Sequence, residues 1–155
     1  MSGKLLLVDD DRHVLESMTD WLRDQGLEVD ASPGYADALG QMERRRYDVL
    51  LADIRLQDGD GFDLLEQSRR RWPATQVVLL TGYGTADSAV DAIRAGAFDY
   101  LTKPLIDDEL LMSIERALGQ RRVIEENESL KEELDRKHGM GHIVGGDPRM
   151  LRVFD

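Results

Sequence analysis

The chain has 155 residues, no cysteine, and a formal charge of −11 from 20 basic and 31 acidic side chains. The length suits one domain with a modest extension. The charge disfavours a sequence-independent grip on nucleic acid or an anionic membrane, and the lack of cysteine excludes disulfides, thiolate catalysis and cysteine zinc sites. With no signal peptide and no apolar stretch of membrane-spanning length, we expect a soluble protein of the cytoplasm.

The first part of the chain alternates short apolar runs with helical patterns. Lys4–Val8 predicts a buried strand, and apolar residues at helical spacing follow it up to Gly26. Residues 27–31 alternate as in a half-exposed strand, and the next helical pattern runs into three arginines at 44–46, which favour a helix C-terminus. These segments predict two consecutive strand–helix units.

The second part of the chain repeats this alternation. Its predicted elements are a third strand ending at Asp53, a helix that Pro73 stops, a strand at 76–80, a helix closed by Gly96, a strand at 98–101 and a last helix carrying apolar residues up to Leu118. Five strands alternating with five helices through short connections call for a parallel sheet with helices on both faces. The α/β doubly wound order 2-1-3-4-5 fits this count.

In that order the carboxyl ends of strands one, three, four and five surround one crevice. These ends carry Asp9 and Asp10, Asp53, Thr81 and Lys103, respectively. Three carboxylates forced together raise one another's pKa values, so a hard divalent cation such as magnesium is expected there. With Asp53 as an acceptor, Lys103 supplies a positive charge and Thr81 a hydroxyl donor, which is the set that phosphoryl transfer requires.

Each of these residues also has a purely structural interpretation. Asp53 can end a strand and begin a turn, and Asp11 can cap a helix that follows a solvated acidic turn. Thr81 can be an ordinary turn residue and Lys103 a surface lysine. Their joint arrival at four strand ends of the predicted sheet favours the site.

Four motifs at these spacings resemble the receiver domain of two-component response regulators, over about residues 1–120. The motifs are Val8-Asp9-Asp10, Asp53, Thr81-Gly82 and Lys103-Pro104. The resemblance implies a flavodoxin-like fold and phosphorylation of Asp53 by a sensor histidine kinase.

The resemblance also implies roles for the other residues of the crevice. Asp10 and Asp53 would hold magnesium together with the backbone carbonyl of Arg55, and Asp9 would act through a bound water. In this family a proline commonly lies shortly after the acceptor, whereas this chain has Leu56-Gln57 there. The loop after Asp53 is therefore the part of the site that least resembles the family.

A second group of residues would respond to the phosphoryl group. The resemblance implies that Lys103 pairs with it, next to a cis Lys103-Pro104 bond. Thr81 and Tyr100 match the family's switch pair, in which the hydroxyl moves to a phosphoryl oxygen and the aromatic ring turns inward.

Beyond the last predicted receiver helix, apolar and polar positions follow a 4-3-4 spacing at Val123, Asn127, Leu130 and Leu134. This spacing predicts a coiled coil over 121–138 that continues the last helix and supports a homodimer. The alternative is a solvated charged linker helix, because two heptads are marginal alone.

Residues 139–155 are similar to the opening of the AAA+ ATPase domain in sigma-54-dependent, nitrogen regulatory protein C-like regulators. The chain contains no Walker A loop, so we do not expect it to hydrolyse ATP. We therefore interpret it as an N-terminal fragment: a magnesium-dependent receiver that controls an absent ATPase and DNA-binding portion and does not itself bind DNA.

Three other interpretations remain open at this stage. An aspartyl-phosphate phosphohydrolase of the haloacid dehalogenase type would use a second aspartate where this chain has Arg55. A degenerate receiver would serve only as a dimerisation module, and a flavodoxin-like protein would bind FMN. In the favoured interpretation the domain is not an enzyme but assists its own phosphorylation and dephosphorylation.

Overall fold

The structure is a computed structural model that describes residues 2–82 and 84–141. The chain divides into two compact units, Met1–Arg121 and Arg122–Asp155. The elements are, in chain order, β1 (Lys4–Val8), α1 (Arg12–Asp24), β2 (Glu28–Ser32), α2 (Tyr35–Arg44), β3 (Val49–Asp53), β4 (Arg55–Leu56), β5 (Gly59–Asp60), α3 (Gly61–Arg71), β6 (Gln76–Thr81), α4 (Ala86–Arg94), β7 (Asp99–Thr102) and α5 (Asp107–Gly141).

Five of these strands form one parallel sheet in the order β2-β1-β3-β6-β7. Apart from the short pair β4 and β5, this is the doubly wound order 2-1-3-4-5, so the predicted fold class is confirmed. The carboxyl ends of β1, β3, β6 and β7 therefore meet at one edge of the sheet, as ligand sites of open α/β sheets require.

The segment after Asp53 is more ordered than the loop expected there from the sequence. Arg55 pairs with Asp60 and Leu56 with Gly59 in a separate antiparallel sheet, so the segment is a small hairpin. Two-residue strands are too short to show the alternation by which a strand is identified in a sequence, which explains the difference.

Both faces of the large sheet are buried by helices. On β1, Leu5 and Leu7 join the core under α1 and α5, whereas Leu6 and Val8 join the core under α2, α3 and α4. All four side chains have no exposed surface. This two-sided burial explains the uninterrupted apolar runs of the strands, since alternate residues point to opposite faces.

The helix ends follow from local chemistry. The Asp11 carboxylate accepts hydrogen bonds from the first turn of α1, and Thr85 and Ser88 form a reciprocal capping box on α4. Gly26 follows α1 with a φ of 92° and Gly96 follows α4 with a φ of 104°, a left-handed conformation that glycine adopts at little cost.

The last helix, α5, ends at Gly141, and the second compact unit begins within it at Arg122. Val123 is 49% and Leu130 46% exposed. The coiled coil over 121–138 stays a prediction, and most of the predicted start of an ATPase domain, residues 142–155, lies outside the described residues. Across the described part of the chain, no helix has both the length and the apolar character needed to span a bilayer.

Candidate functional site

The register of the parallel strands brings the predicted site residues together at the carboxyl edge of the sheet. Asp53 ends β3, and Asp9 directly follows β1, which pairs with β3. On the other side Asp53 pairs with Leu80, so Thr81 lies one residue beyond it on β6. The backbone N–H of Lys103 donates to the carbonyl of Thr81 at 2.7 Å, which fixes the end of β7 in the same crevice.

A single ammonium group bridges the two carboxylates of this crevice. Lys103 Nζ lies 2.9 Å from Asp53 Oδ2 and 3.1 Å from Asp9 Oδ2. The side chains are 26% exposed for Lys103, 13% for Asp53 and only 2% for Asp9. One positive charge therefore faces two largely buried negative charges, and the crevice retains a net negative charge that favours a further cation.

The pKa values reflect this imbalance. Burial raises the pKa of Asp9, although the Asp11 N–H and Lys103 both oppose the increase. Burial acts to lower the pKa of Lys103, but its hydrogen bonds to Asp53 and Asp9 outweigh that effect and the pKa is raised. Lys103 therefore remains a cation at neutral pH.

The Asp53 carboxylate is held by two donors from different directions. Its Oδ1 accepts the backbone N–H of Arg55 at 3.1 Å, and its Oδ2 accepts Lys103 Nζ. Directly beside it, the N–H of Gly61 donates to the carbonyl of Ile54 at 2.8 Å. Asp53 is thus fixed at the base of the hairpin while retaining partial exposure to solvent.

Asp10 is the predicted ligand that the structure does not cluster with the others. It is exposed in the connection between β1 and α1. Over residues 2–82 and 84–141, no three acidic or histidine side chains are arranged as a metal cluster. The carboxylate donors nevertheless suit magnesium, which typically takes one or two carboxylates and keeps several waters.

The predicted switch residues lie on neighbouring strands. Thr81 is buried, and Tyr100 of β7 is half-buried with its phenol oxygen 2.7 Å from the hydroxyl oxygen of Ser88. A Cβ at Gly84 would come within 3.3 Å of the same phenol oxygen. The structure therefore joins Tyr100 to the beginning of α4.

The sequence did not identify Ser88 or Asp58 as residues connected to the site. Ser88 lies three residues after Thr85, a spacing that indicates a helix start but gives no sign of the contact with Tyr100. Asp58 lies in the hairpin turn, and its carboxylate accepts hydrogen bonds from the N-terminus of α2. Both contacts join segments that are distant in the chain, which local patterns do not reveal.

The family comparison supports the assignment of the fold. A family model described as the response regulator receiver domain matches residues 5–115. The cis bond between Lys103 and Pro104 that the resemblance implied is present.

A curated relative and a solved structure are both similar to this chain, in agreement with the family match. The chain is 34% identical over 153 residues to the alginate biosynthesis transcriptional regulatory protein AlgB of Pseudomonas aeruginosa, covering 99% of this chain and 34% of AlgB. It resembles the crystal structure of NtrX from Brucella abortus with a TM-score of 0.77 and 32% identity, covering 84% of this chain and 30% of that chain.

A second solved structure, the beryllofluoride-activated NtrC4 receiver domain dimer, is similar over nearly its whole length. The TM-score is 0.72 and the identity 28%, covering 76% of this chain and 98% of that chain. By contrast, this chain spans only about a third of AlgB.

Proposed function

Because this chain belongs to the response regulator receiver domain family of two-component signalling, we propose that Asp53 is its phosphoacceptor and that the donor is a sensor histidine kinase. The observation that supports this most strongly is the bridging ammonium, with Lys103 Nζ 2.9 Å from Asp53 and 3.1 Å from Asp9. A partly buried lysine held against an acceptor carboxylate is positioned to neutralise charge that arrives on a phosphoryl group.

The proposed reaction transfers a phosphoryl group from a histidine nitrogen to a carboxylate oxygen. An oxygen of Asp53 forms the new O–P bond, the N–P bond of the donor breaks, and the electron pair stays on the imidazole. The Arg55 N–H holds one carboxylate oxygen and keeps the side chain oriented. Lys103 balances the negative charge of the phosphoryl oxygens.

The negative charge of the crevice supports magnesium as the cofactor. Asp10, Asp53 and the backbone carbonyl of Arg55 would hold the ion directly, and Asp9 would hold it through a water molecule. The bound ion would supply positive charge to the phosphoryl oxygens. Asp9 is suited to the indirect role because its carboxylate already accepts the Asp11 N–H at 2.8 Å and the Lys103 ammonium.

The response to phosphorylation would begin at Thr81 and Tyr100. The Thr81 hydroxyl would donate to a phosphoryl oxygen, and the Tyr100 ring would move inward into the space that Thr81 leaves. This is a shift between two conformations, and its extent depends on how much better the phosphoryl group interacts with one of them. The contact between Tyr100 and Ser88 would carry the change to α4.

At the level of the whole protein, we propose a receiver at 1–120, a coiled-coil linker at 121–138 and the start of an AAA+ domain at 139–155. A homodimer through α5 and the linker would control a sigma-54-activating ATPase in the cytoplasm. The similarity to AlgB, a transcriptional regulatory protein, and to the NtrC4 receiver dimer supports this arrangement.

Intact-mass analysis after incubation with acetyl phosphate and Mg²⁺ tests the assignment of Asp53. We expect one phosphoryl adduct in the wild-type chain, none in Asp53→Ala, and a normal adduct in Asp20→Ala, which removes an exposed carboxylate from α1. An equal adduct in Asp53→Ala would refute the assignment. An unmodified wild type would instead indicate a degenerate receiver that serves only in dimerisation.

A further inference from the structure

The turn of the hairpin after Asp53 is tied to a different part of the fold. Asp58 Oδ1 accepts the N–H of Tyr35 at 2.7 Å, and its Oδ2 accepts the N–H of Ala36 at 3.0 Å. These two donors belong to the first turn of α2, and Asp58 is 22 to 23 residues further along the chain. The carboxylate thus caps the N-terminus of a helix that comes earlier in the chain.

The N-terminus of α2 has no cap of its own. Gly34 occupies the N-cap position and provides no side-chain hydrogen bond. The bidentate contact from Asp58 satisfies two of the N–H groups that the first turn of a helix leaves without a partner. The two hydrogen bonds lower the pKa of the Asp58 carboxyl. Asp58 is therefore an anion at neutral pH and matches the positive end of the α2 dipole.

The surfaces around this contact leave no space for larger residues. A Cβ at Gly34 would lie 2.6 Å from Asp58 Oδ1, and a Cβ at Gly59 would lie 2.9 Å from the ring of Tyr35. Two glycines, one on each side, therefore allow the hairpin turn and the helix start to approach closely. The absence of side chains at both positions indicates that the contact is a built feature of this fold.

The hairpin transmits this contact to the phosphoacceptor. Asp58 lies in the turn between β4 and β5, and Leu56 pairs with Gly59 beside it. At the other end of β4, the Arg55 N–H donates to Asp53 Oδ1 at 3.1 Å. Arg55 is also the residue whose backbone carbonyl would hold the proposed magnesium. No proline restricts this segment, and the Asp58 carboxylate ties its turn to the N-terminus of α2.

We propose that Asp58 is a positioning residue for the phosphorylation reaction: by capping α2 it fixes the hairpin, and the hairpin fixes Arg55 for Asp53 and for the metal. Asp58 touches neither the phosphoryl group nor the ion. Its contribution is the reduced freedom of the Arg55 backbone, which binding of Mg²⁺ would otherwise have to restrict. This inference rests on the proposed function of Asp53.

Three variants test the proposal. Asp58→Ala removes the cap, Gly34→Ala keeps Asp58 but displaces its carboxylate, and Asp58→Asn keeps one acceptor oxygen. Asp37→Ala is the matched control, because it removes another exposed acid from the first turn of α2 that bonds Gln41 and not the hairpin. Each folded protein is titrated with Mg²⁺ alone by calorimetry and then phosphorylated with acetyl phosphate over a range of Mg²⁺ concentrations.

We expect Asp58→Ala and Gly34→Ala to weaken Mg²⁺ binding about tenfold, the lower end of the range for residues that orient metal ligands. Phosphorylation should need correspondingly more Mg²⁺, and Asp58→Asn should recover part of the loss. Asp37→Ala should match the wild type in Mg²⁺ affinity even where it lowers helix stability. Equal Mg²⁺ affinity in Asp58→Ala and the wild type, with Asp53 still phosphorylated in both, would overturn the role of Asp58 alone; a wild type that acquires no adduct would overturn the proposed function instead.

Discussion

The phenol oxygen of Tyr100 lies 2.7 Å from the hydroxyl oxygen of Ser88, and this hydrogen bond joins β7 to the first turn of α4. Ser88 also completes the capping box of that helix with Thr85. A movement of the Tyr100 ring therefore changes the partners of a residue that stabilises the start of α4. The contact offers a direct physical route from the predicted switch residue to a helix.

A double-mutant cycle measures this contact. Ser88→Ala, Tyr100→Phe and the combined variant are unfolded with urea, and the two single effects are compared with the joint one. We expect a coupling free energy of about 0.5–1.5 kcal/mol, the net contribution of a neutral hydrogen bond. Ser88→Ala also breaks the capping box, but this effect is the same with tyrosine or phenylalanine at position 100. It therefore cancels from the coupling free energy. Purely additive effects would show that the two hydroxyls do not stabilise each other in solution.

Replacement of Lys103 separates its two electrostatic effects. Lys103→Met removes the charge that neutralises the phosphoryl group, so we expect the rate of Asp53 phosphorylation by acetyl phosphate to fall about a hundredfold. The same change removes the ammonium group that competes with Mg²⁺ for Asp9 and Asp53. Because a nearby like charge typically weakens the binding of an ion by about 1 kcal/mol, Lys103→Met should bind Mg²⁺ several-fold more tightly.

The control for this experiment is Lys4→Met, which removes a positive charge at the start of β1, whereas the site lies after the end of that strand. It should leave both the phosphorylation rate and the Mg²⁺ affinity close to the wild-type values. If Lys103→Met bound Mg²⁺ more weakly than the wild type, Lys103 would be organising the metal site instead of competing with the ion.

The pair of Tyr47 and Asp30 provides a pH-dependent stability test away from the proposed metal site. Burial acts to raise the pKa of Asp30, but its hydrogen bonds from Tyr47 and Arg45 outweigh this and the pKa is lowered below 3.8. Burial and the hydrogen bond to Asp30 raise the pKa of the Tyr47 phenol above its ordinary value of 10.0. The Tyr47 phenol oxygen lies 2.6 Å from Asp30 Oδ2.

We expect Tyr47→Phe to lower the free energy of unfolding by about 1–3 kcal/mol at pH 7, as for a hydrogen bond to a charged group. A lowered carboxyl pKa gives stability that is present above pH 3.8 and is lost as the pH falls through the folded-state value. A raised phenol pKa gives stability that is lost as the pH rises above 10.0. The difference between wild type and Tyr47→Phe should therefore shrink at both extremes.

Urea unfolding from about pH 2 to pH 11 checks this dependence. Tyr35→Phe is the control, because it removes a phenol hydroxyl from α2 that takes no part in the bond between Tyr47 and Asp30, so its effect should not follow the same pH dependence. A constant difference between wild type and Tyr47→Phe across the range would show that the loss comes from packing and not from the bond to Asp30.

The sheet and the main members of the site were predictable because they depend on chain-wide patterns. Continuous apolar runs identify strands covered on both faces, and the strand order then brings Asp9, Asp53, Thr81 and Lys103 to one edge without knowledge of any contact. The roles of these residues in phosphorylation stay predictions. Their proximity follows from the topology alone.

The contacts made by Asp58 and Ser88 were not predictable in the same way. Asp58 meets α2 only because Gly34 and Gly59 let two backbones approach, and the two-residue strands that place it have no periodicity. Ser88 fits a capping pattern, yet its partner Tyr100 lies 12 residues away on another element. Such contacts depend on side-chain positions that only the folded structure defines.

Gly61 and Gly119 differ in the space around them, so alanine at these two positions should have opposite effects on stability. A Cβ at Gly61 would lie 2.8 Å from the carbonyl oxygen of Asp53 and 2.9 Å from the Cα of Ile54, both backbone atoms that cannot move independently of the site. We expect Gly61→Ala to lower the free energy of unfolding by about 1–3 kcal/mol, as for overpacked positions. It should also slow phosphorylation of Asp53, because the clash moves the backbone that carries the acceptor.

Gly119 lies within α5, and a Cβ there meets nothing within 4 Å. Gly119→Ala should therefore raise the free energy of unfolding by about 0.5–1 kcal/mol, since alanine loses less conformational entropy than glycine in a helix, and it should leave phosphorylation unchanged. Urea unfolding and the acetyl phosphate assay on both variants provide the comparison. If Gly61→Ala were as stable and as reactive as the wild type, the close packing of α3 against the acceptor strand would not constrain Asp53 in solution.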